Sequence, residues 1–390
     1  MASTYGRITS TFRLKNDSAN ENDHVFADEL LPSSPCFSFF PKKSCRLSVA
    51  RNSERLRLIQ LSEKKPKQTR LIRRKDEGRN VFGVSRKFRN VGKSSANWKC
   101  VDAYERPVSE YSLASIMKTK VRVLRLAGAK SDPMLTLPDR LLQECLFVPS
   151  RLEFLDVSRA NLTQRQLLIL LRPCRKLLCL SLEGNVLDDS IASCIAANEG
   201  LIRLDISMTE GLTEAGALNI FSNCQRLEQL NVAWCGMDTS ILHVLFENIT
   251  TKIRRLNLSG SHRRRGLNDE HIQMMTNACP HLVELDLSDN NELGKQALHL
   301  IIDNFAKLQI LSLNRCFSVD PGILENLARM RSLRYLNLHG IISSRNVTMF
   351  PELCERFNIN TQVFSFIAKP VISNSPTSQI WGQSVKGSIF

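Results

Sequence analysis

Between Arg151 and His339 the apolar and polar positions follow one returning phrase: an apolar residue, two variable residues, Leu, one polar residue, then another apolar residue. It runs through Leu152–Val157, Leu177–Leu182, Leu201–Ile206, Leu227–Val232, Ile253–Leu258, Leu282–Leu287, Leu308–Leu313 and Leu333–Leu338, with a weaker copy at Val121–Leu126. The phrases start 31, 25, 24, 26, 26, 29, 26 and 25 residues apart. Alternation of this kind predicts a short strand, with the fourth and sixth residues on one side and the third, fifth and seventh on the other. After each strand the spacing changes to that of a helix, as in Gln166-Leu167-Ile169-Leu170, Ala217-Ile220-Phe221 and Leu298-Ile301-Ile302. Thr163, Asp188, Thr213, Asn268 and Pro321 stand where these helices should begin.

A strand plus a helix every 24 to 31 residues is the signature of a leucine-rich-repeat solenoid, whose period is about 20 to 29 residues. One such unit cannot cover its own leucines. Neighbours must therefore stack, each fully buried Leu contributing roughly 1.5 to 3 kcal/mol. The expected fold is α/β: a horseshoe with a parallel sheet on its concave face and helices on its convex face, over residues 119–363.

Cysteine placement obeys the same period. Cys174, Cys224 and Cys279 each precede the first Leu of a repeat by three residues, and Cys235 and Cys316 occupy the ninth position of theirs. Such regularity suits small thiols buried at repeat corners. Twelve cysteines with no C-x-x-C spacing and no secretory signal read as a reduced, intracellular chain without disulfides or zinc. There is no apolar run long enough to span a membrane, and no membrane association is expected.

The net charge of +15 is unevenly placed. The first 100 residues hold 22 Lys and Arg against 9 Asp and Glu, whereas the remaining 290 hold 31 against 29. Residues 1–78 are rich in Ser, Asn, Lys, Arg and Pro without sustained periodicity, which predicts a disordered basic head. Within it, Lys64-Lys65-Pro66-Lys67 and Arg70-Leu71-Ile72-Arg73-Arg74-Lys75 fit a nuclear-import signal, a nucleic-acid arm or a solvated tail. No aromatic residues are interleaved with them, so nucleic acid is not expected as a partner, and the expected location is nucleus and cytoplasm. Gly92-Lys93-Ser94 imitates the end of a phosphate-binding loop, but Lys87 stands where that motif requires Gly and no apolar strand leads into it. No catalytic constellation, metal cluster or cofactor loop emerges elsewhere, so a non-catalytic, cofactor-free chain is expected.

Residues 79–118 carry a first resemblance. Gly83-Val84-Ser85-Arg86-Lys87-Phe88, with Trp98 ten residues after Phe88, resembles the second half of an F-box. Ala27-Asp28-Glu29-Leu30-Leu31 is similar to the F-box opening, about fifty residues upstream, so the motif is interrupted. The resemblance implies that Val84, Phe88 and Trp98 contact the small Skp adaptor of cullin-based ubiquitin ligases. The residues alone equally allow an amphipathic cap on the first repeat.

Within the horseshoe, the fifth positions, Arg125, Asp156, Ser181, Asp205, Asn231, Asn257, Asp286, Ser312 and Asn337, are mostly short and polar. They are expected to leave the concave face open to a partner. Just beyond the strands, the eighth positions include Arg159, Met208, Trp234, Asp289 and Arg315, the kind of side chains that anchor interfaces or else shield a strand edge. His262-Arg263-Arg264-Arg265 forms a basic loop fit for a phosphate or an acidic segment. Residues 364–390 depart from the period, and the apolar stretch Phe364–Ile372 with Ile380 and Trp381 should pack back on the repeats.

The phrases Leu230–Cys235, Arg255–Gly260, Cys279–Asp289 and Leu311–Phe317, together with the tail Phe366–Pro370 and Gln379–Gly382, resemble the family of S-phase kinase-associated protein 2. These are F-box and leucine-rich-repeat substrate receptors of SCF-type ubiquitin ligases. The resemblance implies a tail returning along the concave face, a Skp adaptor and cullin ligase core, a Cks-type accessory protein, and a phosphorylated cyclin-dependent kinase inhibitor or similar cell-cycle regulator as substrate. It places Trp234, Arg263, Asp289, Arg315 and Phe317 toward the accessory protein and substrate. Phe317 stands where the family has Tyr, and the loop at Arg263 is longer than the family's. The second reading is a leucine-rich-repeat interaction scaffold not linked to a ligase.

Overall fold

A computed structural model of the 390-residue chain describes residues 99–132, 136–260, 266–342, 351–371 and 379–385. The head at 1–78, the stretch carrying Val84, Phe88 and Trp98, and the loop carrying Arg263 lie outside the described residues. Strands in chain order are β1 (Cys100–Asp102), β2 (Pro107–Val108), β3 (Val123–Arg125), β4 (Lys130–Ser131), β5 (Phe154–Asp156), β6 (Cys179–Ser181), β7 (Arg203–Asp205), β8 (Gln229–Asn231), β9 (Arg255–Asn257), β10 (Glu284–Asp286), β11 (Ile310–Ser312), β12 (Tyr335–Asn337), β13 (Asn358–Ile359), β14 (Gln379–Ile380) and β15 (Gln383–Ser384). Eleven of them form one parallel sheet ordered β1-β3-β5-β6-β7-β8-β9-β10-β11-β12-β13, each pairing in register with the next repeat.

Helices connect the strands: α1 (Glu110–Met117), α2 (Asp139–Leu146), α3 (Gln164–Leu171), α4 (Asp189–Ala196), α5 (Glu214–Asn223), α6 (Thr239–Asn248), α7 (Asp269–Ala278), α8 (Lys295–Asn304), α9 (Pro321–Leu324) and α10 (Pro351–Arg356). Their starts follow the expected caps. Thr163, Asp188, Thr213 and Asn268 accept hydrogen bonds from the backbone N–H three residues on, and Pro321 takes the first helical position behind Asp320. Helices pack roughly 8 to 10 Å apart whereas strands sit about 4.8 Å apart, so stacking the two together bends the array with the sheet inside.

The leucine phrase supplies the core as expected. The fourth-position leucines Leu155, Leu180, Leu204, Leu230, Leu256, Leu285, Leu311 and Leu336 are fully buried, against helix residues such as Leu167, Ile191, Ala217, Leu242, Ile272 and Leu298. Two strands escaped the phrase. Strand β1 lies within residues 79–118, so residues 99–118, read above as part of the F-box-like segment, instead open the repeat array with β1 and α1. Its core positions are Val101 and Ala103, small enough to bury under the next repeat but without the leucines that mark a period. At the other end β13 offers only Ile359 in a Leu position.

What ends each strand is a backbone constraint. The eighth positions of the nine phrases, Gly128, Arg159, Gly184, Met208, Trp234, Gly260, Asp289, Arg315 and Gly340, have positive φ, between 52° and 86°, and so does Glu105 (54°), the equivalent residue after β1. In that conformation the amide still donates to the seventh-position carbonyl of the next repeat, as in Arg159 to Glu183 (2.7 Å), Trp234 to Ser259 (2.8 Å) and Arg315 to His339 (2.7 Å). The ladder thus runs three residues past the strand before the chain turns away. For a side-chain-bearing residue this geometry costs of order 1 to 3 kcal/mol. The ladder bond and the corner behind it offset that cost.

The ninth residue ties the corner to the preceding repeat. Asn185 donates to the carbonyl of Val157 (2.9 Å), Cys235 to Ile206 (2.7 Å), Asn290 to Leu258 (3.0 Å) and Cys316 to Leu287 (3.1 Å), always the sixth-position carbonyl one repeat back. The corner cysteines therefore act as donors as well as apolar filler. Burial pushes the Cys235 and Cys316 thiols up to about 12, and the nine described cysteines are all free. Truncating Asn290 to Ala leaves the carbonyls of Leu258, Leu287 and Ser288 without this donor. We expect a loss of roughly 2 to 3 kcal/mol in a denaturant titration; a loss below about 0.5 kcal/mol would show that the corner ladder is dispensable.

Candidate functional site

The fifth positions do not leave the concave face open. They are all buried, because the turn into the left-handed eighth residue needs an acceptor where the strand ends. Asp156 accepts from the backbone N–H of Ser158, Asp205 from Ser207, Asn231 from Ala233, Asn257 from Ser259 and Asp286 from Ser288, at 2.9 to 3.2 Å. Each is an Asx turn two residues long. Short polar side chains were chosen for the turn, and the space above them is filled by the chain's own tail.

That tail crosses the sheet from its last strand back to its first. The amide of Gln362 donates to Asn337 (3.0 Å), Asn314 donates to the carbonyl of Val363 (3.3 Å), and the amide of Ala368 donates to Gln229 (3.3 Å). Lys369 then reaches Glu183 at 3.2 Å. The strap ends in the hairpin β14–β15, whose two turn residues Trp381 and Gly382 both have positive φ, 46° and 78°, as a type I′ turn requires. Ile380 and Val385 bury against Val123, and the Trp381 ring packs 6.4 Å from Phe154 while its indole N–H donates to Ala368 (2.9 Å). Trp381 thus anchors the end of the tail.

Beneath Lys369 lies a cluster that sequence reasoning missed. Ser158 donates to Asp156 (2.6 Å) and is hydrogen-bonded to Ser181 (2.9 Å); Ser181 and Ser207 both donate to Asp205 (2.8 and 2.7 Å). Burial raises Asp156 and Asp205 to about 6, with the serine hydrogen bonds and nearby cations working against the rise. Although burial acts upward on Glu183 too, the Lys369 and Arg159 cations hold it below the ordinary range. The sequence signal was the polar fifth and seventh positions of three successive repeats, Asp156 and Ser158, Ser181 and Glu183, Asp205 and Ser207.

Outside this covered floor runs the rim of eighth positions. The structure brings Asp289 and Arg315 together as a bidentate ion pair, one arm being Arg315 Nη2 to Asp289 Oδ2 at 2.5 Å. The stem of Arg315 and the ring of Phe317 both lie against Gly340. Trp234 stands three strands away, roughly 14 Å at ordinary strand spacing, 52% exposed, its ring resting on the backbone of Gly260. Phe317 is 66% exposed and Met208 52%. Trp234 and Phe317 are therefore displayed, Asp289 and Arg315 are joined to each other, and Arg263 falls in the undescribed loop after Gly260. In four repeats a large eighth residue lies over a Gly at the eighth position of the next: Glu105 over Gly128, Arg159 over Gly184, Trp234 over Gly260, Arg315 over Gly340; Met208 and Asp289 are instead followed by Trp234 and Arg315.

Two outcomes follow from this geometry. A Cβ at residue 260 would run into the Trp234 ring and Gly260 has a positive φ of 63°, so Gly260→Ala should cost about 3 kcal/mol; the share due to the ring should vanish in Gly260→Ala/Trp234→Ala, while about 1 kcal/mol of backbone strain stays. Additive costs in a denaturant double-mutant cycle would remove Trp234 from that position. For Asp205, a folded value of about 6 against the ordinary carboxyl value of 3.8 means that its contribution is present below pH 4 and is lost as pH rises toward 6. Melts of wild type and Asp205→Asn at pH 4 to 7 should therefore diverge in favour of the variant by roughly 3 kcal/mol. Parallel pH profiles would refute the assignment.

Comparison with known proteins places this geometry. Among solved structures, similar chains occur in the yeast Rad7 and Elc1 complex (17% identity, TM-score 0.42, covering 64% of this chain and 64% of that one) and in internalin InlF of Listeria monocytogenes (12%, 0.37, 70% and 88%). A third occurs in the mouse RP105/MD-1 complex (14%, 0.36, 60% and 36%). The chain thus spans about two thirds of the yeast chain it matches. A family model described as the SKP2 LRR domain matches residues 111–388, from α1 through the repeats to the tail hairpin, and the chain belongs to that family.

Proposed function

We propose that the chain is a substrate-receptor subunit of a cullin-RING, SCF-type ubiquitin ligase, non-catalytic in itself. The observation that carries this reading is the match of the SKP2 LRR domain through repeats and tail, combined with a rim that displays Trp234 and Phe317 beside the Asp289–Arg315 pair. With the concave floor occupied by its own tail, the capture surface consists of that rim and the upper side of the strap. A Cks-type accessory protein would dock there and help present a phosphorylated cell-cycle regulator. The exposed aromatic rings would supply the apolar contact, and Arg263, beside Gly260 in sequence, a cation for phosphate. Ubiquitin transfer would belong to partner proteins, this chain contributing orientation and local concentration.

Attachment to the ligase would run through Val84, Phe88 and Trp98 onto the Skp adaptor, in nucleus and cytoplasm. The scaffold reading differs only in lacking that link. Co-purification of the full chain with the Skp adaptor, with and without the Cks protein, separates the two. We expect the adaptor to be retained by wild type and lost from Phe88→Asp/Trp98→Asp. Adaptor binding that survives the double substitution would reject the contact residues, and no binding by wild type would leave the scaffold.

A further inference from the structure

All the connecting helices point the same way, so their C-termini gather along one rim of the array, opposite the rim of eighth positions. At that rim the residue immediately before a repeat's first apolar position is a cation in six repeats: Lys120, Arg151, Lys176, Arg226, Lys252 and Lys307. All six are exposed. None has an ion pair with a carboxylate among the described residues; the one polar contact is Lys307 with the His281 ring, at 3.4 Å. Each helix C-terminus carries only about half a negative charge. Where the cation is present it outweighs the half charge of its own helix C-terminus; Gly200 and His281 interrupt the row, and exposed Glu247 and Asp303 lie in the last turns of α6 and α8.

We propose that this rim binds an acidic polypeptide segment of a partner protein, lying across the repeats from Arg151 toward Lys307. This goes beyond the ligase reading and does not depend on it. Three observations favour a polypeptide over another polyanion. The row is interrupted, with Glu199-Gly200 replacing the cation in one repeat and exposed Glu228 two residues after Arg226. A continuous phosphate backbone or an anionic bilayer would meet those carboxylates, whereas a peptide can place its acids only opposite cations. No aromatic residues alternate with the cations to stack bases; the aromatic present is Phe147, 72% exposed at one end just before Arg151, beside exposed Val148. The fitting segment is therefore acidic with an apolar residue near one end.

The rim also has a place to hold an acid. A cavity of about 360 Å³ between α3 and α4 is lined by Arg172, Arg175, Ser190 and Ser193. Arg175 is fixed there by donating Nη1 to the carbonyls of Arg172 and Cys174, both at 2.7 Å. The Arg172 side chain has no partner among the described residues.

The probe is a fluorescein-labelled peptide of twelve residues alternating Glu and Gly, titrated against the full chain at low and high salt. We expect saturable binding that weakens with salt and falls at least tenfold in K176E/R226E/K252E, which keeps a cooperative melt with a modestly lower midpoint because the reversed charges face helix C-termini. Carbodiimide coupling, which joins a Glu carboxyl to a Lys amine while the lost oxygen leaves as the urea, should place cross-links in wild type at Lys176, Lys252 and Lys307. Unchanged affinity in the variant, or cross-links confined to lysines before residue 99, would overturn the proposal. So would a thymidine dodecamer or phosphatidylserine vesicles that compete at the same residues more tightly than the peptide.

Discussion

The structure depends on the hydrogen-bond ladder that runs past each strand into a left-handed residue. A parallel strand of three residues makes too few bonds to stand alone. Extending the ladder through the sixth and eighth amides doubles its reach, and the ninth residue then secures the carbonyl that the turn would otherwise strand. Everything at the rim inherits this geometry. Side chains such as Trp234 and Arg315 are displayed because the backbone beneath them is held in a conformation that throws them over the next repeat, where a Gly receives them.

The same regularity sorts charge. Acids cap and line the helix N-termini along one rim, as at Asp188, Asp238 and Asp269, while cations follow the C-termini along the other. Each choice is favourable locally, by a few tenths to 1 kcal/mol per helix end. Summed over parallel repeats, the local choices polarise an array whose total charge is close to zero.

The tail changes which surface this solenoid can offer to a partner. A bare concave sheet would offer buried carboxylates and amides to a partner, but those groups are already engaged in Asx turns and in the contacts of Lys369 and Gln362. Apolar third positions Val123 and Phe154 take the hairpin at one end, whereas Gln229 takes the tail backbone in the middle. The strap is thus matched to the floor residue by residue. Any partner must meet the composite of rim and strap instead of the sheet.

By itself the sequence determined the repeat, the strand and helix in each unit, the caps, and the return of the tail, because each is written as a local period or as an apolar run too costly to leave in water. The pattern put Trp234, Asp289 and Arg315 among the eighth positions; grouping them with Arg263 and Phe317 came from the family resemblance. Only the tertiary structure decided that Asp289 and Arg315 join each other, that the fifth positions are covered, and that β1 and β13 complete the sheet without leucines. Those outcomes turn on which side chains from different repeats, or from a tail nearly two hundred residues away, come within hydrogen-bond reach, as Lys369 and Glu183 do. Spacing along the chain carries no record of such distances; they are set by the stacking of repeats and by the conformation each turn is forced to take.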